Sequence, residues 1–194
     1  MHVRTATPED LATVVDTAAR SLADEAMLRW SFGEDGFRER IRRHFAHYDG
    51  ENVRHGWVRV AADGAAIAVW IPPGSREEHE AIGPAPPGGE VEILGDHAER
   101  FAAFWGWVGE HEPAEPLLYL SHIAIVPERQ REGLGTALMR DGLAQADRDS
   151  VPTWLETSVA ANSAYYERFG FRTVVEEDAP DGGPHIWFMR RDPA

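Results

Sequence analysis

Apolar residues recur at two spacings along the chain, and the spacing predicts which segments are helices and which are strands. Near the amino end, Thr7-Pro8-Glu9-Asp10 combines an N-cap residue, a proline at the first helical position and two acids in the first turn. An apolar run at helical spacing follows, formed by Leu11, Val14, Val15, Ala18, Ala19 and Leu22. We predict a short strand before this helix, and a second helix over residues 37–48 with Ile41 and Phe45 facing inward.

The middle of the chain predicts a hairpin, a variable segment and an aromatic helix. Residues 57–61 and 65–70 are strand-like runs that flank Asp63-Gly64, a turn-forming pair. Residues 72–89 are rich in proline and glycine, and they fit either a flexible surface connection or a mobile flap over a substrate pocket. The pattern at 91–110 predicts a helix whose aromatic cluster belongs to the core or lines a pocket. That cluster consists of Phe101, Phe104, Trp105 and Trp107.

The second half of the chain alternates strands and helices. Residues 117–126 form a nearly unbroken apolar run that ends at Pro127, which is typical of a central strand covered on both faces. We find no internal repeat and no heptad pattern, and we expect one α/β domain over residues 1–194. The further elements predicted are a helix at 134–146, a strand at 154–157, a helix at 161–169 ended by Gly170, and a hairpin of 171–176 with 185–190.

Composition excludes several classes of function. The chain has 19 basic residues, all arginine, against 33 acids, and its formal charge is −14. Such a chain repels phosphate backbones and anionic lipids, so we expect no nucleic-acid and no membrane partner. The absence of a membrane-length apolar run and of a signal-peptide pattern predicts a cytoplasmic protein. Because there is no cysteine and no lysine, thiolate metal sites, cysteine nucleophiles, Schiff bases and P-loops are excluded. The missing lysine also favours a GC-rich, bacterial source.

Residues 126–136, between the buried strand and the next helix, have the features of an anion site. Gly133 and Gly135 let the backbone turn tightly and direct consecutive N–H groups to one point. The helix that begins there adds unpaired amides and partial positive charge, so the loop can cradle a diphosphate. Arg129 and Arg131 add charge, and Thr136 adds a hydroxyl. A dinucleotide fingerprint does not fit, because its third glycine is missing.

This strand–loop–helix arrangement resembles the acetyl-CoA pyrophosphate loop of the GNAT N-acetyltransferase superfamily. Leu155-Glu156-Thr157-Ser158, Asn162 and residues 165–171 resemble the block that follows in that superfamily: a strand, an asparagine and a tyrosine-bearing helix before a Gly-Phe strand. The resemblance covers residues 117–190. It implies an α/β GNAT fold, with a mixed, mostly antiparallel, twisted sheet, splayed central strands and flanking helices. It also implies acetyl-CoA as co-substrate and no metal.

Shorter stretches resemble the puromycin N-acetyltransferases within that superfamily: residues 60–70 and 152–158, Glu115-Pro116 and Tyr166-Glu167-Arg168. The chain departs from them at 24–56 and 72–108, where GNAT enzymes build the acceptor pocket. The resemblance implies acetylation of a small amine (an aminonucleoside, aminoacyl compound or arylamine) and a role in detoxification or antibiotic resistance. An acidic surface suits a cationic amine. The alternatives are a peptide or protein amino terminus as acceptor, or a non-catalytic acyl-CoA sensor. The protein is expected to be a monomer or a homodimer.

The resemblance also assigns the cofactor-binding residues. Backbone groups of the central strand pair with the pantetheine arm, and the loop that follows binds the diphosphate. The residues implied are Ile123, Ala124, Ile125, Val126, Gln130, Arg131, Glu132, Gly133, Leu134, Gly135, Thr136, Asn162 and Tyr166. Asn162 is also expected to cap its helix.

Two residues are candidates for the chemistry. Tyr166 matches the superfamily's tyrosine, and a phenol with an ordinary pKa of about 10 can donate its proton to a departing thiolate. Its alternative role, and the one we favour for Tyr165, is packing on the sheet. Glu156 is the candidate base, directly or through water, and its alternative is a solvated carboxylate at the end of a strand.

Alternation of faces along the central strand predicts the acceptor contacts. Tyr119 and Ser121 share one face, and Trp154 lies on the same strand face as Glu156, so Tyr119, Ser121 and Trp154 are expected to contact the acceptor. His122 is a further candidate base, but alternation places it on the opposite face, where a hydrogen-bonded core histidine is the favoured interpretation.

The other histidines have no metal-ligand spacing. His44 and His47 lie three residues apart on a predicted helix, without an evident third ligand, and are expected on a solvated face.

Overall fold

The computed structural model describes residues 2–194, and within them seven strands form one sheet in the order β1-β2-β3-β4-β5-β7-β6. Neighbouring strands are antiparallel, except that β4 and β5 are parallel, so the sheet is mixed and mostly antiparallel. The strands are β1 (Val3–Thr5), β2 (Val58–Ala61), β3 (Ala66–Ile71), β4 (Leu118–Ile125), β5 (Thr153–Thr157), β6 (Arg172–Asp178) and β7 (His185–Arg191).

Helices cover both faces of the sheet. The helices α1, α3 and part of α2 pack on the face that carries Val58, Ile67 and Ala124. The opposite face carries Ala68 and Trp70 and is covered by α7 and α8. The helices are α1 (Leu11–Ser21), α2 (Ala26–Phe32), α3 (Phe37–Arg54), α4 (Arg76–Ile82), α5 (Glu90–Leu94), α6 (Ala98–Glu110), α7 (Leu134–Asp149) and α8 (Ala160–Glu167).

The predicted order of elements is confirmed in both halves of the chain, with four differences. The helix α2 was not predicted. The helix α3 continues to Arg54, beyond its predicted end at residue 48, because the polar stretch 49–52 includes Asp49 and Asn52, whose side chains are buried. Residues 72–89 contain α4 and two buried side chains, Ile82 and Ala85, so they are not an unstructured connection. The helix predicted at 91–110 is interrupted, since Gly95 adopts a φ of +54°, which ends α5.

The strands β4 and β5 pair only where they begin. Their register contains two pairs, Leu118 with Thr153 and Tyr119 with Trp154. Beyond these pairs β4 continues to Ile125 and β5 to Thr157, so the backbone edge of β4 that faces β5 is free of strand partners. A gap therefore opens in the middle of the sheet, as the resemblance implied.

A β-bulge at Ser121 changes which face each residue of β4 presents. In the pairing with β3, Val69 lies opposite His122 and the next residue, Trp70, lies opposite Leu120, so Ser121 has no partner. An unpaired residue reverses the alternation of side chains beyond it. As a result Leu120 packs on the α7 side, while the side chain of His122 contacts Phe45 on the α3 side.

Candidate active site

A cavity of about 170 Å³ lies where β4 and β5 diverge, and we call it the inner cavity. It shares Glu156, Tyr119, Tyr48 and His79 with a second cavity of about 900 Å³, which we call the outer cavity. Apolar walls come from the two segments, 24–56 and 72–108, where the sequence departs from its resemblance. Those walls include Leu28, Phe32, Phe45, Phe101 and Trp105.

Glu156 lies on β5 at the junction of the two cavities. Its side chain is buried, with the residue 8% exposed, so the alternative of a solvated strand-end carboxylate is wrong. Oε1 accepts a hydrogen bond of 2.7 Å from the hydroxyl of Tyr119. Oε2 is buried and has no hydrogen-bond partner among residues 2–194. Burial raises the pKa of this carboxyl to about 7, against the opposing effect of the Tyr119 hydrogen bond, so near neutral pH the group can accept a proton.

The three residues expected to contact the acceptor all lie at these cavities. Tyr119 lines both of them, and Ser121 lines the inner one, where its Oγ is 2.9 Å from the hydroxyl of Tyr48. Trp154 is buried against Phe188 and lines the outer cavity together with Glu156. The fold therefore brings the predicted acceptor contacts and the candidate base together.

The prediction that His122 faces away from this site is wrong, because the bulge at Ser121 turns it toward the inner cavity. Its Nε2 lies 3.5 Å from Oδ1 of Asp49, which is fully buried on α3. Within residues 2–194, neither Nε2 of His122 nor either carboxylate oxygen of Asp49 makes a hydrogen bond. The expectation of a hydrogen-bonded core histidine therefore fails as well. The two groups form an under-satisfied polar pair beside the cavity.

Sequence reasoning missed the contact between Tyr48 on α3 and His79 on α4. The hydroxyl of Tyr48 contacts Nε2 of His79 as well as Ser121. Burial raises the pKa of Tyr48 and lowers the pKa of His79 to about 4, so both side chains are neutral at pH 7. Nothing local in the sequence links these residues, because 31 positions separate them.

His44 and His47 hold the end of α4 and the residues that follow it against α3. The Nδ1 of His44 is 2.9 Å from the carbonyl oxygen of Pro84, and Nε2 of His47 is 2.8 Å from that of Ile82. His44 is buried, and burial lowers its pKa to about 4. The expectation of a solvated face is therefore wrong for His44, whose ring forms part of the cavity wall.

Tyr166 lies on α8, and its ring lines the inner cavity while packing on Tyr165 and Phe171. The residue is 7% exposed, and burial raises the pKa of its phenol, so the hydroxyl keeps its proton over the physiological range. Asn162 also lines the inner cavity. Its expected capping role is wrong, because α8 begins at Ala160 after the extended residue Val159, which places Asn162 inside the helix.

The loop at 126–136 has room and donors for a diphosphate. Arg131 and Gly133 adopt positive φ angles of +66° and +82° before α7 begins. Among the residues described, none of the backbone N–H groups of 131–136 donates a hydrogen bond to the protein. A Cβ on Gly135 would lie 3.0 Å from the hydroxyl oxygen of Tyr165, which is itself buried without a hydrogen-bond partner within residues 2–194. The free amides, the absence of a side chain at Gly135 and the unpartnered hydroxyl of Tyr165 therefore suit the diphosphate of acetyl-CoA.

Two other findings concern the residues that the structure describes. Over 2–194, no group of three or more His, Asp or Glu side chains is arranged to hold a metal ion. None of the helices in that range combines the length and hydropathy needed to cross a membrane.

The sequence matches a protein-family profile and a relative of known activity. A family profile described as an acetyltransferase (GNAT) domain matches residues 91–173. The mycothiol acetyltransferase of Nocardia farcinica is 30% identical over 136 residues, which are 69% of this chain. The chain spans 39% of the length of that relative.

The fold matches solved acetyltransferase structures over nearly the whole chain. A structure described as histone acetyltransferase HPA2 and related acetyltransferase from Corynebacterium glutamicum has a TM-score of 0.70 at 24% identity, covering 99% of this chain and 96% of that one. Arylalkylamine N-acetyltransferase 2 from Aedes aegypti has a TM-score of 0.66 at 12% identity, covering 100% and 99%. At these identities the likeness establishes the architecture. This chain therefore has the GNAT fold, and its residues 91–173 match the profile of the GNAT acetyltransferase domain.

Proposed function

We propose that this protein transfers an acetyl group from acetyl-CoA to the amine of a small molecule. The observation that carries the proposal is Glu156, a buried carboxyl with one unpartnered oxygen and a pKa of about 7, at the gap between β4 and β5. Tyr166 supplies a protonated phenol in the same inner cavity. A base and an acid in one cavity are what acyl transfer to an amine requires.

Acetyl-CoA supplies an acetyl group activated as a thioester. The residues that would hold it are the backbone of Ile123–Val126 and the loop Gln130–Thr136, with Asn162 and Tyr166 at the inner cavity. Gln130 supports this arrangement, because its side chain donates to the carbonyl oxygen of Ile125 at 3.4 Å and so connects the loop to the end of β4.

Glu156 accepts the proton that the amine must lose. An amine is protonated near neutral pH, and only the neutral form has the lone pair for attack. With a pKa of about 7, Glu156 is ionised for much of the time at pH 7 to 8 and can take a proton through Oε2, directly or by way of water. The proton then passes to solvent through the outer cavity.

Tyr166 holds the proton that the leaving sulfur needs. As the new N–C bond forms and the C–S bond breaks, the sulfur keeps the electron pair, and Oη of Tyr166 donates a proton to it. The attacking nitrogen still carries two protons and loses one of them as the amide forms, and this proton restores the tyrosine. The net products from the ammonium form are therefore the acetylated amine, the free thiol and the one proton that Glu156 accepted. Because burial strongly disfavours tyrosinate, its re-protonation is thermodynamically favourable.

The shape of the site favours a small acceptor over a peptide. A peptide amino terminus needs an open groove, whereas α4 closes one side of the outer cavity with Arg76, His79 and Glu80. The resemblance to puromycin N-acetyltransferases makes aminonucleosides, aminoacyl compounds and arylamines the first acceptors to test. Detoxification or antibiotic resistance is the role that such an acceptor would imply. The alternatives are acetylation of a peptide or protein amino terminus, and a non-catalytic acyl-CoA sensor.

The test is thiol release from acetyl-CoA, followed with a chromogenic disulfide across puromycin, arylalkylamines, diamines and short peptides. The protein has no cysteine, so it contributes no background. Release that depends on a small amine, together with the acetylated product by mass spectrometry, supports the proposal. Release with peptides alone favours the protein-acetylating alternative. Acetyl-CoA binding by calorimetry without release from any acceptor favours the sensor.

A further inference from the structure

Asp49 carries a fully buried carboxylate on α3 that the proposed reaction does not use. Neither of its oxygens makes a hydrogen bond within residues 2–194. The one basic group paired with it in that range is His122, whose Nε2 lies 3.5 Å from Oδ1. Burying a carboxylate without hydrogen bonds is unfavourable, so packing alone does not account for an acid at this position.

One face of α3 holds the ring of His122. Phe45, Tyr48 and Asp49 are spaced three or four residues apart, so their side chains share that face. The ring centroid of His122 lies 5.4 Å from that of Phe45 and 6.3 Å from that of Tyr48. A movement of about 0.5 Å would bring its Nε2 within good hydrogen-bond distance of the Asp49 carboxylate. The helix therefore fixes both the place of the ring and the group beside Nε2.

A carboxylate beside Nε2 selects one tautomer of a neutral imidazole. An ionised carboxylate only accepts hydrogen bonds, so it favours the ring that carries its proton on Nε2 and leaves Nδ1 as an acceptor. His122 lines the inner cavity together with Glu156. Because Nε2 lies beside Asp49, Nδ1 is the ring nitrogen left to meet a molecule in that cavity.

An amine that enters the inner cavity has more N–H bonds than the one it gives up at Glu156. Each of the others needs an acceptor, because much of the cavity wall is apolar. We propose that Nδ1 of His122 accepts one of these N–H bonds and that Asp49 is the positioning residue that sets the tautomer of His122. The inference rests on the proposed function and adds a second contact to the reacting amine. Two contacts restrict the rotation of the amine and so hold its nitrogen for attack.

Nitrogen-15 NMR of protein labelled at histidine tests the tautomer, because protonated and unprotonated ring nitrogens have well-separated chemical shifts. Spectra of the full-length protein are recorded with CoA at pH 8, and the signals of His122 are identified by their loss in His122→Gln. We expect the proton on Nε2 in the parent. We also expect the Nδ1 signal to shift when 2-phenylethylamine is added, since that nitrogen accepts the N–H bond.

The variant Asp49→Asn tests the positioning role. The amide of asparagine can donate as well as accept, so the preference for the proton on Nε2 should be lost and the response of Nδ1 to the amine should weaken. Asp35→Asn is the matched control, because it makes the same change at a side chain that is 99% exposed and lines neither cavity. Unchanged signals from the other histidines show that Asp49→Asn is folded.

Thiol release from acetyl-CoA connects the contact to the reaction. In Asp49→Asn, kcat/KM for 2-phenylethylamine should fall by about tenfold to a hundredfold, with KM for acetyl-CoA within about twofold of the parent. The double variant Asp49→Asn/His122→Gln should be no slower than His122→Gln alone, because Asp49 acts through His122.

A parent ring with its proton on Nδ1, or with both nitrogens protonated, would overturn the inference, as would an Nδ1 signal that ignores the amine. Additive losses in the double variant would give Asp49 a structural role and overturn it as well. Thiol release with an unresponsive His122 retains the acetyltransferase proposal and rejects this contact. A response of Nδ1 without thiol release from any amine retains the contact and rejects the catalytic proposal.

Discussion

The hydroxyl of Tyr119 donates a hydrogen bond of 2.7 Å to Oε1 of Glu156 across the point where β4 and β5 separate. Tyr119 belongs to the last pair that the two strands share, opposite Trp154, and Glu156 lies two residues further along β5. The bond therefore bridges the start of the gap and leaves Oε2 free to face the cavities. It also lowers the pKa of Glu156, partly offsetting the effect of burial.

Replacing Tyr119 by Phe should move the pH dependence of the reaction upward. The substitution keeps the ring and removes the bond that stabilises the ionised carboxylate, so the pKa of Glu156 rises above its value of about 7. We expect the acid limb of kcat/KM to shift by about one pH unit, since a bond to a charged group contributes on the order of 1.5 kcal/mol. The shift is measured from profiles of kcat/KM between pH 6 and pH 9. A limb that stays in place or moves to lower pH would contradict the assignment.

Replacing Glu156 by Gln should remove the base while retaining the shape of the site. We expect kcat/KM for the amine to fall by about 10²- to 10⁴-fold and the acid limb near pH 7 to disappear. Affinity for acetyl-CoA should not change, because Glu156 is not among the residues proposed to hold acetyl-CoA. Glu99→Gln is the matched control, because it removes the same charge from an exposed position on α6 that lines neither cavity. Its kinetics should equal those of the parent. Retention of the acid limb in Glu156→Gln would assign the titration to another group.

Glu156→Gln should also change how the free energy of unfolding depends on pH. Folding raises the pKa of Glu156 from its ordinary value of 4.5 to about 7, so between these values the native state binds more protons than the unfolded state. Stability is therefore lost as pH rises through 7, by roughly 3 kcal/mol for this group. In urea titrations, Glu156→Gln should gain stability relative to the parent between pH 5 and pH 8. A constant difference over that range would disprove the raised pKa.

Replacing Tyr166 by Phe should slow the chemical step without weakening acetyl-CoA binding. The phenol proton is lost while the ring still packs on Phe171, so kcat should fall by about 10²-fold with little change in the dissociation constant of CoA. Tyr165→Phe is the matched control, because that hydroxyl lies beside Gly135 in the anion loop. It should raise KM for acetyl-CoA and leave kcat nearly unchanged. If Tyr165→Phe instead lowered kcat and Tyr166→Phe raised KM for acetyl-CoA, the proposed roles of the two tyrosines would be reversed.

Replacing Gly142 by Ala should destabilise the fold. A Cβ at this position of α7 would collide with the indole ring of Trp70 on β3, a side chain that is itself buried. Overpacking of this kind costs about 1 to 3 kcal/mol in the free energy of unfolding. The control is Gly106→Ala on α6, where a Cβ meets no atom within 4 Å, and helix propensity should make it stabilising by about 0.5 to 1 kcal/mol. Equal stabilities of the two variants in urea would refute the close approach.

The sequence by itself determined the elements whose pattern is local. The apolar run before Pro127, the glycine pair before α7 and the tyrosine pair before Gly170 each span a few residues. Their consequences, a central strand, a loop with free backbone amides and a short helix, depend on neighbours along the chain. Glu156 and Tyr166 could be named from sequence for the same reason, because both lie in short stretches with a recognisable order.

Only the tertiary structure decided how the acceptor side is built. The face of His122 depends on a bulge that forms because β3 and β4 pair with one residue left over, and single-strand alternation cannot anticipate that offset. The contacts of Tyr48 with His79 and of Asp49 with His122 join residues far apart in sequence. The raised pKa of Glu156 likewise depends on burial by distant segments. Local pattern therefore determines the loop and helix proposed to bind the cofactor, and long-range packing determines the arrangement of the residues proposed to contact the acceptor.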